Sequence, residues 1–145
     1  MIRALEKKDY PKWLPLWSAN CLGRDLPEMT QVTWQRICDR RNPIGGFGLW
    51  DEAGDLAAIV HYIIHPVTGQ VAEVCYMQDV FVAEKYRRKG YAKMLITHLK
   101  NYATQQGWAR IYWLAEQKNE AAQNLYKSIG LKLDFTLHVL PAAEI

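Results

Sequence analysis

The sequence predicts a mixed α+β fold in one domain spanning residues 1–145, with a parallel crossover near its middle. Three observations predict it. The chain has 145 residues, half of them hydrophobic, with six Trp and eight Tyr, enough for a single core. The hydrophobic period is helical at first, extended through the middle, and then alternates between helix and strand. An apolar strand, a turn, a helix and a short strand follow one another after residue 71, the signature of a parallel crossover. No linker, repeat or low-complexity run divides the chain.

Ile2–Leu5 reads as a short strand. Lys7–Asn20 reads as a helix whose Tyr10, Trp13, Leu14 and Trp17 share a face, with Pro11 in its first turn and a kink or break expected at Pro15. Leu22–Glu28, holding Gly23 and Pro27, is a loop. Thr30 is a candidate cap for a second helix reaching Arg40. Gly46–Asp51 and Leu56–His65 are strands joined by a turn at Gly54. Val71–Val82 is apolar for most of its length, which predicts burial on both faces. Tyr91–Gln106 is a helix with the stripe Ala92, Leu95, Ile96, Leu99, Tyr102 and Ala103, stopped by Gly107. Arg110–Leu114 is a strand, Asn119–Ile129 a helix stopped by Gly130, and Lys132–Leu140 a last strand.

Composition excludes several functions. The net charge of +3 is too mild to argue by itself for nucleic acid, and an RNA-binding surface of Arg87–Lys89 with Tyr86 and Tyr91 has no RNP-like or KH-like motif to support it. No stretch approaches the ~20 apolar residues of a membrane span. Met1–Tyr10 is charged rather than signal-like, and Cys21, Cys38 and Cys75 form no CxxC, so a cytoplasmic protein with reduced thiols is expected. HExxH is absent, and His61 and His65 would lie roughly 13 Å apart on a strand, so no metal is expected.

The chemistry-bearing segment is Val80–Ala92, VFVAEKYRRKGYA. A buried strand ends, the chain turns, and Gly90 opens a helix. The unpaired N–H groups of a first helical turn make an anion site, and a glycine lets a phosphate approach closely. Arg87, Arg88 and Lys89 add positive potential. Neither GxxxxGK[ST] nor GxGxxG is present, which argues against an NTPase and a dinucleotide-binding dehydrogenase. A solvated basic turn is the other reading, and this segment alone does not decide between the two.

Arg87-Arg-Lys-Gly90-Tyr-Ala92 resembles the GNAT signature [RQ]-x-x-G-x-[GA]. Farther along, Asn119-Glu-Ala-Ala122-Gln-Asn-Leu125-Tyr126-Lys-Ser-Ile-Gly130-Leu resembles that family's N-x-x-A-x-x-L-Y-x-x-x-G-[FL] motif, preceded by a strand-like Arg110-Ile-Tyr-Trp-Leu. The resemblance is specific over Val71–Leu131 and extends to the first half only in element order. It implies the acyl-CoA N-acyltransferase fold, a three-layer mixed twisted sheet with helices on both faces, and acetyl-CoA as acyl donor. Backbone groups of Val80, Phe81 and Val82 would pair with the pantetheine arm as an added strand would. Amides of Arg87, Arg88, Lys89, Gly90, Tyr91, Ala92 and Lys93 would hold the pyrophosphate, and Asn119 would contact the cofactor. Tyr126 would protonate the departing thiolate. The acceptor would be a small amine or a protein lysine. A non-catalytic CoA-binding sensor of the same fold is the rival reading. The chain ends soon after its sixth strand, so the family's usual seventh is short, merged into Lys132–Leu140, or supplied by a second copy in a homodimer.

Asp79 is the other candidate catalytic residue. Alternation puts it on one face of its strand with Glu73, Cys75, Met77 and Phe81. A carboxylate in an apolar strand needs a partner, so it is either a paired structural residue or part of the acceptor site. Asp25 and Glu28, in the loop between the first helices, could attract a cationic amine or simply face water. Cys75 lacks a histidine partner in the sequence pattern and is a poor candidate nucleophile.

Overall fold

β2 (Ile44–Trp50) and β3 (Leu56–His65) form an antiparallel hairpin whose tight turn brings Gly54 to φ +84°. Around it the computed structural model, which describes residues 1–143, builds a five-stranded sheet in the order β1-β2-β3-β4-β5. β1 (Ile2–Ala4) is antiparallel to β2 and β4 (Val74–Val82) to β3, and β5 (Ile111–Tyr112) is parallel to β4. The helices are α1 (Tyr10–Asn20), α2 (Pro27–Cys38), α3 (Tyr91–Gln106) and α4 (Glu120–Ile129). The described residues form two compact units, one from Met1 to Leu114 and one from Ala115 onward.

Consecutive side chains of β3 show how the sheet of the first unit is covered. His61 meets the rings of Trp13 and Trp17 in α1, whereas Tyr62 meets Tyr102 of α3 and Trp108 just beyond it. Neighbours on a strand point to opposite faces, so α1 and α3 lie on opposite sides. With α1 and α2 go Leu5, Trp13, Leu16, Trp17, Trp34 and Ile37. On the other side α3 buries Leu95, Ile96, Leu99 and Ala103, the stripe expected from its period.

The structure departs from the sequence reading in several places. α1 runs through Pro15 without a break. The missing N–H costs one helical hydrogen bond, while Trp13, Leu16 and Trp17 pin the helix to the core on either side. Thr30 caps nothing. α2 starts at Pro27, whose fixed φ suits a first turn, and Thr30 lies buried one turn in. Its Oγ1 accepts the Trp17 indole N–H at 3.0 Å. Lys132–Leu140 is not a strand. Its apolar residues alternate as a half-buried strand requires, but Leu133, Phe135, Leu137 and Val139 are all exposed. A strand exists only where a neighbour takes its backbone hydrogen bonds, and none does so among the described residues.

β4 holds the largest correction. His61 faces Asp79, but the next pair is Tyr62 with Met77, leaving Gln78 as an extra residue. A bulge of one residue reverses the phase of everything beyond it. Asp79 therefore does not share a face with Met77. Met77 lies opposite Tyr62 on the α3 side, and Asp79 lies opposite His61 on the α1 side.

The Thr30 assignment is testable by Thr30→Val. The swap keeps the shape and strands the buried Trp17 N–H, so urea unfolding should show a loss of about 1–3 kcal/mol with an unchanged m-value. If Thr30 were a dispensable surface residue, stability would not move.

Candidate active site

β4 and β5 pair only at Cys75–Ile111 and Tyr76–Tyr112. Past Tyr76 the two strands part. Val80, Phe81 and Val82 keep Val60, Ile59 and Ala58 of β3 on one side. Among the described residues no strand pairs with them on the other, so an extended ligand could add there as a strand would. A short 3₁₀ turn, Glu84–Tyr86, then leads to Gly90 and α3.

Two residues of this turn are left-handed, Arg88 at φ +65° and Gly90 at φ +78°. Together they aim the start of α3 at solvent. Gly90 offers no side-chain cap, and the Met94 N–H is the one that bonds to the Gly90 carbonyl. The N–H groups of Tyr91, Ala92 and Lys93 precede it and have no intrahelical acceptor. A Cβ built on Gly90 would meet no atom within 4 Å, so the space before these amides is open. The turn is braced from beneath. The Tyr86 hydroxyl donates to the Asp51 carboxylate, and the Arg87 Nε–H donates to the Val82 carbonyl at 3.1 Å with its guanidinium over the Phe81 ring. Lys89 lies over the Tyr86 ring, 5.7 Å from its centroid. Arg88 and Lys89 are exposed. The arrangement can hold a pyrophosphate through backbone amides, with lysine and arginine adding field rather than geometry.

One residue before this edge stands Asp79. Its Oδ1 accepts from Asn20 Nδ2 at 3.1 Å, at the end of α1, and its Oδ2 lies 3.0 Å from His61 Nδ1. Burial alone would raise this carboxyl. The His61 ring, by its hydrogen bond and by the charge it carries when protonated, and then the hydrogen bond from Asn20 outweigh it and hold the group below the usual carboxylate range. Tyr76, stacked on Tyr112 with centroids 5.0 Å apart, is close enough for the Asp79 charge to help raise its phenol, after the larger effect of burial. Cys75 is fully buried, and burial pushes its thiol up to about 12, so it supplies no thiolate. Asp25 is engaged by Ser18 Oγ at 2.7 Å, and Glu28 is exposed in the first turn of α2.

In the unit that begins at Ala115, Asn119 caps α4 by accepting the Ala122 N–H at 3.1 Å. Ala122, Leu125, Tyr126 and Ile129 form the half-buried stripe of that helix. Burial pushes the Tyr126 phenol up, so it keeps its proton through neutral pH.

The sequence reading missed His61 and Asn20 as neighbours of Asp79. A polar residue inside the apolar run Leu56–Ile64 was a signal for His61, but pairing it with Asp79 needs the bulged register. Asn20, at a helix end, carries no signal.

A family model, that of the acetyltransferase (GNAT) family, matches residues 3–131. The chain belongs to the GNAT family of acetyltransferases. It is therefore an enzyme of acetyl transfer, and GNAT enzymes use acetyl-CoA. The D-amino-acid N-acetyltransferase HPA3 of Saccharomyces cerevisiae is 32% identical over 142 residues, covering 95% of this chain and 88% of that one. The L-ornithine N5-acetyltransferase NATA1 of Arabidopsis thaliana is 36% identical over 58 residues, covering 40% of this chain and 25% of its own. Among solved structures, a probable acetyltransferase superposes with TM-score 0.87 at 24% identity, over 100% of this chain and 99% of its own. The aminoglycoside acetyltransferase AAC(6')-Iy, in complex with a bisubstrate analog, superposes with TM-score 0.85 at 17% identity, over 99% and 97%. These structures share the GNAT fold with the chain.

Gly90→Val puts a branched side chain into the open space before the amides at a φ that L-residues avoid. In this GNAT enzyme it should abolish the rise in Tm that millimolar CoA gives the parent, while the variant's CD spectrum stays native. Equal CoA stabilisation of both proteins would remove Gly90 from the phosphate site.

Proposed function

We propose that this GNAT enzyme transfers the acetyl group of acetyl-CoA to a primary amine by direct attack in a ternary complex, as a single domain spanning residues 1–145. The observation that carries this reading is the unpaired edge Val80–Val82, which runs into the phosphate turn and begins beside an ionised carboxylate. The pantetheine arm lies along Val80, Phe81 and Val82, and its pyrophosphate on the amides from Arg87 to Lys93. Asn119, whose Oδ1 is used in capping α4, has its Nδ2 to offer the cofactor.

Asp79 receives the acceptor as an ammonium. A carboxylate held below its usual range is too weak a base to keep that proton, so its work is to bind the cation and hold it in line. The proton passes to water. The amine lone pair then attacks the thioester carbonyl carbon, and a backbone N–H of the β4 edge stabilises the oxyanion. The C–S bond breaks, the acylated nitrogen gives its surplus proton to water, and the thiolate takes the phenolic proton of Tyr126, which solvent restores. The phenol is protonated when the thiolate leaves, as this role requires, while its raised pKa makes it a weaker acid than a free phenol.

The relatives' names point to small amines, and a protein lysine remains in the reading. A panel of D-amino acids, L-ornithine, an aminoglycoside and a lysine peptide, read by release of free CoA thiol, tests the activity. Turnover above acetyl-CoA hydrolysis with at least one small amine supports it, and none with any amine contradicts it.

Three features support the rest of the reading. Cys21, Cys38 and Cys75 are free thiols, as in a cytoplasmic protein. No described helix is long and apolar enough to cross a membrane. The exposed alternation Leu133, Phe135, Leu137 and Val139 wants a partner strand, which a second copy would provide as a homodimer. Phe135→Lys should then convert a dimer to a monomer by light scattering, and a monomeric parent would dismiss this part.

Tyr126→Phe removes only a hydroxyl. It should lower kcat by about 10²–10⁴-fold under saturating donor and acceptor, with CoA affinity and Tm nearly unchanged. A core tyrosine with no role in proton transfer would instead lose about 1 kcal/mol of stability and leave turnover within a few-fold.

A further inference from the structure

A polar thread crosses the α1 side of the sheet to reach Asp79. It starts at Trp13, which is fully buried and whose indole N–H points at His61 Nε2, 3.0 Å away. An indole nitrogen can only donate. Nε2 must therefore carry a lone pair, and the ring proton sits on Nδ1. Nδ1 is the atom 3.0 Å from Asp79 Oδ2, so it donates there. One rigid donor thus fixes the tautomer of the neutral ring. A doubly protonated imidazolium would set two N–H groups against each other where His61 is only 3% exposed.

Asp79 has one donor on each oxygen, His61 on Oδ2 and Asn20 on Oδ1. A carboxylate offers about four lone-pair sites, so acceptor capacity remains. The Asp79 side chain is 20% exposed, so part of that capacity is within reach of a ligand. We propose that His61, kept neutral by Trp13, is a positioning residue that orients the Asp79 carboxylate toward the incoming ammonium without cancelling its charge. This rests on the acceptor-binding role of Asp79 above. A neutral imidazole aims the carboxylate and leaves it a full anion. An imidazolium would aim it equally well and neutralise it, and a cationic acceptor would lose its counter-charge.

The surroundings of the pair make the Trp13 donor necessary. From α1 it is faced by Trp13, Trp17 and Asn20, none of which titrates. Cys21 at the end of α1 lies within the field of both Asp79 and Asp25. From β4, Tyr76 lies within the field of Asp79. Among these described neighbours there is no cation to discourage protonation of the ring. The obstacle is the indole N–H.

Trp13→Phe keeps an aromatic ring in the core and removes that donor. Nε2 becomes free to take a proton as pH falls. The test measures KM for the best acceptor of the amine panel, and kcat, between about pH 8 and pH 5.5, where imidazole titrates. Dividing variant by parent cancels the acceptor's own deprotonation. The KM ratio should stay within a few-fold at the alkaline end and rise about tenfold or more toward the acid end, while the kcat ratio stays level. The double variant Trp13→Phe/His61→Asn places a non-titrating amide N–H near the old Nδ1 and should return the KM ratio to a flat line. In the unmodified protein, ¹⁵N NMR of the His61 ring should show Nδ1–H and an unprotonated Nε2 across the same range.

A purely structural His61 predicts a Trp13→Phe ratio that does not vary with pH, and that result overturns the inference. So does an Nε2–H tautomer in the parent. Asp79→Asn separates the two levels. If it leaves the acceptor KM unchanged, the role of Asp79 fails and this inference with it. If it raises KM while the Trp13→Phe ratio stays flat, the role of His61 alone fails.

Discussion

One extra residue in β4 decides which face of the sheet Asp79 joins. Gln78 has no partner in β3, so the strand changes phase between Met77 and Asp79. Upstream of it, Met77 packs on the α3 side as part of an ordinary buried strand. Downstream, Asp79 is turned toward α1 and meets Asn20 and His61. A bulge also sharpens the local twist, and β4 leaves β5 at Tyr76, just before it. The same irregularity therefore delivers a carboxylate to one face and opens a backbone edge beside it.

The first helix is tied to this arrangement by its tryptophans. Trp13 and Trp17 stack with centroids 5.4 Å apart, and each indole N–H finds a buried acceptor, His61 for one and Thr30 for the other. Among the described residues no buried side-chain nitrogen or oxygen lacks a partner. Large aromatic area thus fixes α1 against the sheet, and the two N–H groups fix its register. That register puts Asn20, at the far end of the helix, against Asp79. On the opposite side, the apolar stripe of α3 sets the direction of its first turn, and Gly90 leaves that turn open to an anion.

Local chemistry was legible in the sequence where a single residue type answers a single backbone demand. Gly90 and Gly107, both left-handed, bound α3 at the residues its period indicates. Asn119 opens α4 and Tyr126 lies on its apolar stripe, as the spacing implies. What could not be read is what depends on long-range register. Strict alternation placed Asp79 with Met77 because no residue of β4 announces a bulge. Thr30 looked like a cap because Ser and Thr favour that position, yet Trp17 uses its oxygen and Pro27 starts the helix. Lys132–Leu140 carries a strand's alternation without a neighbour among the described residues to complete it, since pattern specifies a face and not a partner.

The open β4 edge and the Gly90 turn are proposed together to form the cofactor site. Backbone amide shifts followed during a CoA titration test it most directly. The account predicts that the largest changes fall on Val80–Val82 and on Arg87–Lys93, in slow or intermediate exchange and saturating together. It would be contradicted if those amides stayed in place while CoA moved others, such as those of the separate groove lined by Leu5, Cys38, Ile44 and Tyr62.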